Sequence, residues 1–464
     1  MNWPDQLQVN AWVDPQNANR SPVSGELQSG LLALGFAARA SLLWPEREAD
    51  QRDWSHPSVG WGLVLADDDA VSAKERATGA DAPEALKGLL AARAGAPVLR
   101  YRKDRRVGTI RRYYADGTAQ DLNIAATQFG TGRAELPRYL LIYGTPAVIP
   151  WMFQFELHSK CFAGRLDLQG DALQHYVDAL LSEWRDGGSR LDRTLTWAVD
   201  LGPGDITNLM LHAVAKPLHQ EFLGDTNLKA HAQFLDGSKG QATAAALIEA
   251  IAENKPSLIA TTSHGRTGPL DDVNGMRANL GILVDGDSRN LDGNALLAAG
   301  APAGAIWYAH ACCSAGADAE TRFGNLVPAN TPVARILNGV AACGAMVSPF
   351  PRAVLGAKQP LRAFIGHVEP TFDWSIRSRW TEQFLTSAII KTLYKCLYRG
   401  QPVGMALDAC RQVSNSLLAS FQIAKDELSS GADTLGDILA LQLMAYDWRA
   451  LVLLGDPTVK LPIQ

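Results

Sequence analysis

The sequence predicts an α/β protein built on a mainly parallel β-sheet covered by helices on both faces. Three observations carry that reading. From residue 138 onward, short apolar runs alternate with segments of helical spacing. The helical segments have recognisable starts and stops. No internal repeat or low-complexity tract interrupts the alternation. Strands that alternate with helices of this length imply right-handed βαβ crossovers, hence a doubly covered parallel sheet.

Taken in order, residues 1 to about 130 are the least readable third. Apolar runs at 30–44 and 59–65 alternate with charged stretches, and residues 100–112 hold seven basic side chains in thirteen, read as a solvated loop or hairpin edge. This region, 1–134, is expected to be an N-terminal elaboration of unassigned fold with a regulatory role open to it. Beyond it, the runs read as strands are 139–143, 194–199, 230–235, 258–263, 305–311, 344–347 and 451–454. After Gly240, Thr243 can cap a helix whose Leu247, Ile248 and Ile251 share one face, with Pro256 beyond its end. A second helix runs over 292–299, closed by Gly300.

Composition narrows the function. The chain has 464 residues, 43 Lys+Arg against 48 Asp+Glu, a net charge of -5 and 47% hydrophobic residues. That length predicts two to three domains at roughly 100–200 residues each. The charge balance argues against affinity built on nucleic-acid phosphates or anionic lipid. The opening MNWPDQLQVNAW has neither a basic nor an apolar leader region, and no window offers the ~18 uncharged apolar residues of a membrane span, so a cytoplasmic, soluble enzyme is expected. Six cysteines, two of them adjacent at 312 and 313, form no disulfide framework, and no CxxC or HxxxH spacing suggests structural zinc. No cofactor and no metal are expected.

Two predicted strands end in chemically loaded turns. SLIATTSHGRTG puts His264-Gly265 at the tip of one, and AIWYAHACCSAG puts Cys312 and Cys313 at the tip of the other. Parallel sheets collect reactive groups at the carboxyl edge. One crossover separates the two runs, so the strands are expected to be neighbours and to aim an imidazole and a thiol into one crevice. That is the requirement of nucleophilic cysteine catalysis: a thiolate that attacks a carbonyl, and a histidine that helps ionise the thiol and protonates the leaving amine. Gly265 would let the backbone approach a substrate and turn its N–H to a developing oxyanion.

These residues resemble bacterial caspase-like cysteine peptidases of the CHAT and gingipain-like kind, in which one strand ends in Ser/Thr-His-Gly and a later one in Ala-Cys-x-Ser/Thr-Gly/Ala. Here the segments read Ser263-His264-Gly265 and Ala311-Cys312-Cys313-Ser314-Ala315, 48 residues from histidine to cysteine; caspases show a similar separation of about 50. Arg399-Gly400-Gln401-Pro402 and Leu454-Gly455-Asp456-Pro457-Thr458 add similarity near the end, and the likeness covers about 135–464.

The resemblance implies a caspase-like sheet in 135–464, with Cys312 as nucleophile, His264 as general acid/base, the N–H groups of Gly265 and Cys312 as oxyanion hole, and Cys313 as a bystander. It also implies protein substrates, control by a signal or a regulatory partner protein, and a place in bacterial defence or cell death. No nucleic acid or membrane is expected as a direct partner. His310 stands two before the cysteine, where relatives that cleave after basic residues often carry an acid, so a basic P1 preference is not expected. Asp285, Asp287 or Asp318 could supply charge to that pocket from loops, and acidic P1 residues would be favoured only as His310 protonates near pH 6. The segment 366–370 and Trp374 read as a substrate-side loop. Two further readings stand beside the peptidase: a catalytically silent caspase-like scaffold that binds a partner protein, and a metal site of His310, Cys312 and Cys313, disfavoured because adjacent strand residues point to opposite faces.

Overall fold

Runs such as Tyr139–Tyr143, Pro256–Thr262 and Ile306–His310 have no polar face to turn to water, so they bury both faces by lying side by side beneath helices. A computed structural model describes residues 7–8, 11–12, 23–24, 49–300 and 302–462. The apolar run 30–44 lies outside the described residues. In chain order the strands are β1 (Leu7–Gln8), β2 (Ala11–Trp12), β3 (Val23–Ser24), β4 (Trp61–Ala66), β5 (Val98–Tyr101), β6 (Thr109–Tyr113), β7 (Ala119–Asn123), β8 (Tyr139–Tyr143), β9 (Phe162–Leu166) and β10 (Arg190–Ala198). They continue with β11 (Ala232–Asp236), β12 (Pro256–Thr262), β13 (His264–Arg266), β14 (Leu283–Val284), β15 (Ile306–His310), β16 (Gly316–Ala317), β17 (Met346–Val347), β18 (Ala363–His367) and β19 (Leu451–Leu454).

Twelve strands form one sheet in the order β11-β10-β12-β15-β18-β19-β9-β8-β4-β5-β6-β7. The strands from β11 to β18 are mutually parallel, and so are those from β19 to β5. The two blocks meet antiparallel at β18–β19, and the hairpin strands β6 and β7 close the far edge antiparallel. The molecule is therefore α/β with a large, mainly parallel mixed sheet flanked by helices. Each block sends its carboxyl ends to an opposite edge.

The first third joins this sheet directly, because β4 pairs with β8 on one side and β5 on the other. Its attachment reaches the far end of the chain: Trp61 Nε1 and Arg93 Nη1 both donate to the buried Asp456 carboxylate, at 3.0 and 3.1 Å. The basic run is a hairpin, but not a wholly solvated one, since Arg100 is fully buried on Asp81. The run at 344–347 forms a strand that pairs with β16 outside the large sheet.

The two foreseen helices form. Thr243 Oγ1 accepts from Ala246 N–H at 3.1 Å and opens Ala244–Asn254, which buries Leu247, Ala250 and Ile251. Asp292 caps Gly293–Ala298. One apolar core runs along both blocks, and a second packs at the carboxyl edge of β15, joining Cys312 and Cys313 to Ala11, Met276, Phe323, Phe372 and Leu443. Among the described residues, no helix is long and apolar enough to cross a membrane.

Candidate active site

Three consecutive strands of the first block, β10, β12 and β15, lead at their carboxyl ends to Asp205, His264 and Cys312. Asp205 follows β10 and caps the turn of helix Ile206–Met210, accepting from Thr207 N–H at 2.9 Å and Thr207 Oγ1 at 2.7 Å. β12 ends at Thr262, paired with His310 of β15. The chain bends at Ser263, and β13 then pairs antiparallel with β14 and parallel with β2.

His264 is buried with Nε2 3.0 Å from the Asp205 carboxylate. Burial alone would raise the Asp205 pKa; the hydrogen bond and charge of His264, with the two bonds from Thr207, hold it below the usual carboxylate range instead. Among the described residues, Nδ1 of His264 has no hydrogen-bond partner. The Trp12 ring lies over the imidazole, centroids 5.6 Å apart and planes tilted by 37°.

Cys312 is fully buried. Its Sγ accepts from Thr371 N–H at 3.3 Å and points to Thr371 O at 4.0 Å. Burial pushes its thiol pKa far up, against the opposing Thr371 bond. The sheet thus brings thiol and imidazole to the same end of paired strands, but no hydrogen bond joins them. A Cβ built on Gly265 would stand 2.8 Å from the Cys312 carbonyl carbon and 3.0 Å from its nitrogen, so the missing side chain permits contact between the two backbones. Cys313 adopts φ 54°, fixed by Ser348 Oγ on its carbonyl at 2.6 Å and by its own N–H on Glu369 O at 3.0 Å.

Several expectations change. The expected open crevice is closed, with both His264 and Cys312 inaccessible. His310 is buried: its Nδ1 is 2.7 Å from Tyr308 Oη and its ring 4.8 Å from that of His367. Burial lowers its pKa to about 4, so protonation near pH 6 is not available to it. Asp285 is consumed by its own turn, accepting from the N–H groups of Ala244, Asp287 and Arg289. Asp287 sits exposed at that turn, and Asp318 accepts from Ala319 N–H and pairs with Arg322 at 3.4 Å. The segment 366–370 supports the Cys312 turn from within, through His367 N–H on Ser314 Oγ and the Glu369 carbonyl on Cys313, and Trp374 is core.

Sequence reasoning missed Asp205, Thr371 and Asp447. Asp447 is buried from the last long helix, and its carboxylate accepts from Phe372 N–H at 2.9 Å and Ser375 Oγ at 2.5 Å, anchoring the loop that carries Thr371. With His310, His367, Ser375 and Leu451 it lines a small cavity, where desolvation raises its pKa to about 7. Among the described residues, no group of three or more His, Cys, Asp or Glu side chains is arranged to hold a metal ion. Compared with family models, curated proteins and solved structures, the chain matches none of them.

Proposed function

We propose that the chain is a cysteine endopeptidase of the caspase-like kind, with Asp205, His264 and Cys312 as orienting acid, general acid/base and nucleophile. One observation carries the reading: the three side chains lie at the carboxyl ends of three adjacent parallel strands, and the histidine already has one nitrogen fixed by the acid and the other unbonded. In the reaction, the Cys312 proton passes to His264 Nδ1 while Sγ bonds to the scissile carbonyl carbon. The proton then leaves on the departing amine as the C–N bond breaks, and water, deprotonated by the same nitrogen, hydrolyses the thioester and restores the thiol. Asp205 fixes the ring and balances the charge of the imidazolium.

The buried, protonated thiol is then a resting form, and activity requires movement of the site's cover. A peptide-library cleavage profile of the protein and its Cys312→Ala variant tests the reading. Cleavage lost in the variant supports it, and cleavage that persists removes Cys312 from the role of nucleophile. The closed site also favours the second reading, a silent scaffold that binds a protein partner. That reading predicts no Cys312-dependent cleavage under any condition that exposes the thiol.

A further inference from the structure

We infer that β2 is an internal inhibitor: residues 11–12 occupy, by strand addition, the edge of β13 that an extended polypeptide must reach to approach His264. The inference rests on the peptidase reading and adds its mode of control. β13 has two edges. One carries β14 from the next crossover, and the other is filled by a segment some 250 residues away, with Ala11 opposite Gly265, Trp12 opposite Arg266 and Thr267 N–H bonded to Trp12 O at 3.0 Å.

The cover is specific to the reactive group. Trp12 places its ring on the imidazole, while Ala11 joins the apolar cluster that holds Cys312, and both residues are almost wholly buried. The flanking pieces follow the same rim: β1 lies against Asp373–Ser375, two residues beyond the Thr371 that holds the thiol, and β3 lies against helix Pro332–Ala342.

Two features bear on displacing this cover. Among the described residues, β2 pairs with β13 over two residues. Trp12 Nε1 is buried with no hydrogen-bond partner among the described residues, a donor that water would satisfy on release. A competing extended chain could make the same main-chain bonds with Gly265–Thr267, which is the physics of β-strand addition.

The test combines native-state hydrogen exchange of the unaltered protein with modification of His264 by diethyl pyrocarbonate, followed by mass spectrometry, in the full chain and its Trp12→Ala and Trp12→Phe variants. The expectation is that peptides covering 9–13 and 264–268 exchange together, about tenfold or more faster than those of β12 and β15. Trp12→Ala should raise the His264 modification rate by about tenfold or more, and Trp12→Phe should leave it near the unaltered protein's. Exchange of 264–268 only with the core strands, or an unchanged His264 rate in Trp12→Ala, overturns the inference. Should Trp12→Ala fail to fold, the exchange of the unaltered protein decides alone. Exposed His264 without any peptide cleavage would retain the cover and sink the peptidase reading. Equal cleavage by unaltered and Trp12→Ala proteins would do the reverse.

Discussion

Asp205 holds His264 across 59 residues of sequence, and nothing local announces the bond. His264 and Cys312 were legible because each ends an apolar run in a turn of small residues. Asp205 reads only as a helix cap, a role it also fills through Thr207. Its substitution separates the two roles. Asp205→Asn keeps an oxygen for the cap and loses the charge beside the imidazole, so under the proposed peptidase function turnover should fall by about 10²–10⁴ while the protein stays folded. His264→Ala should cost more in stability, about 1–3 kcal/mol, because it removes one hydrogen-bond partner of the buried Asp205 carboxylate, which keeps its bonds from Thr207. Chemical denaturation of the two variants checks the order. The pH dependence follows from two opposite shifts. Asp205, held low, stabilises above the unfolded carboxylate pKa and loses that contribution as pH falls through its lower folded value. Asp447, raised to about 7 by burial, stabilises only below the unfolded value and progressively loses its contribution as pH rises toward and through 7. Asp447→Asn should therefore gain in melting temperature relative to the unaltered protein between pH 5 and 8, with a free-energy change of the order of a few kcal/mol. A constant difference across that range would remove Asp447 from the pH response.

At the scale of elements, uncharged, mostly apolar strands such as β8, β12 and β19 were readable. Those that bury a charge were not. β9 carries Arg165, fully buried and bonded to Gln154 Oε1 and Gly144 O at 2.9 Å, and β5 carries Arg100 on Asp81. In both, the partner that makes burial tolerable is supplied by the fold, so the local pattern looks like surface. β13 escaped for a different reason: three residues are too few to show a period, and both of its neighbours come from elsewhere. Its geometry makes Gly265 and Gly281 intolerant. Gly281 has φ 70°, and a Cβ there would meet Ser314 Cα at 3.0 Å and press on the Cys313 carbonyl. Gly281→Ala should cost at least about 1–3 kcal/mol and shift the turn of Cys312 and Cys313, which thermal melting and a change in thiol alkylation would report. Asp285→Ala should cost about 1–2 kcal/mol by uncapping helix Ala244–Asn254 and its own turn.

For the whole molecule, the sequence suggested a break near residue 135, where the texture changes from charged hairpins to apolar runs. The sheet continues across that point, and Asp456 ties Trp61 and Arg93 to the end of the chain. Such links are invisible to a reading of local composition because they span more than 360 residues. Protease should cut first in the hairpin loop at 102–108, where Val107 is 74% exposed. The two fragments should nevertheless co-elute in gel filtration until denaturant is added; immediate separation would mean that the first third folds as an independent unit.

The position of β19 bears on how such a molecule is made. It lies between β18 and β9, where the two blocks meet. A ribosome elongating at ~5–20 residues per second has translated the sheet's other described strands before Leu451–Leu454 can emerge. Until then, the nascent chain carries two half-sheets with raw inner edges, and the helix that brings Asp447 to the Thr371 loop has only just been synthesised. Chains from which Leu451–Leu454 have yet to emerge thus hold a Cys312 thiol without its finished surroundings. Premature termination upstream of residue 451 would leave half-sheets open to edge-to-edge association, a burden for chaperones.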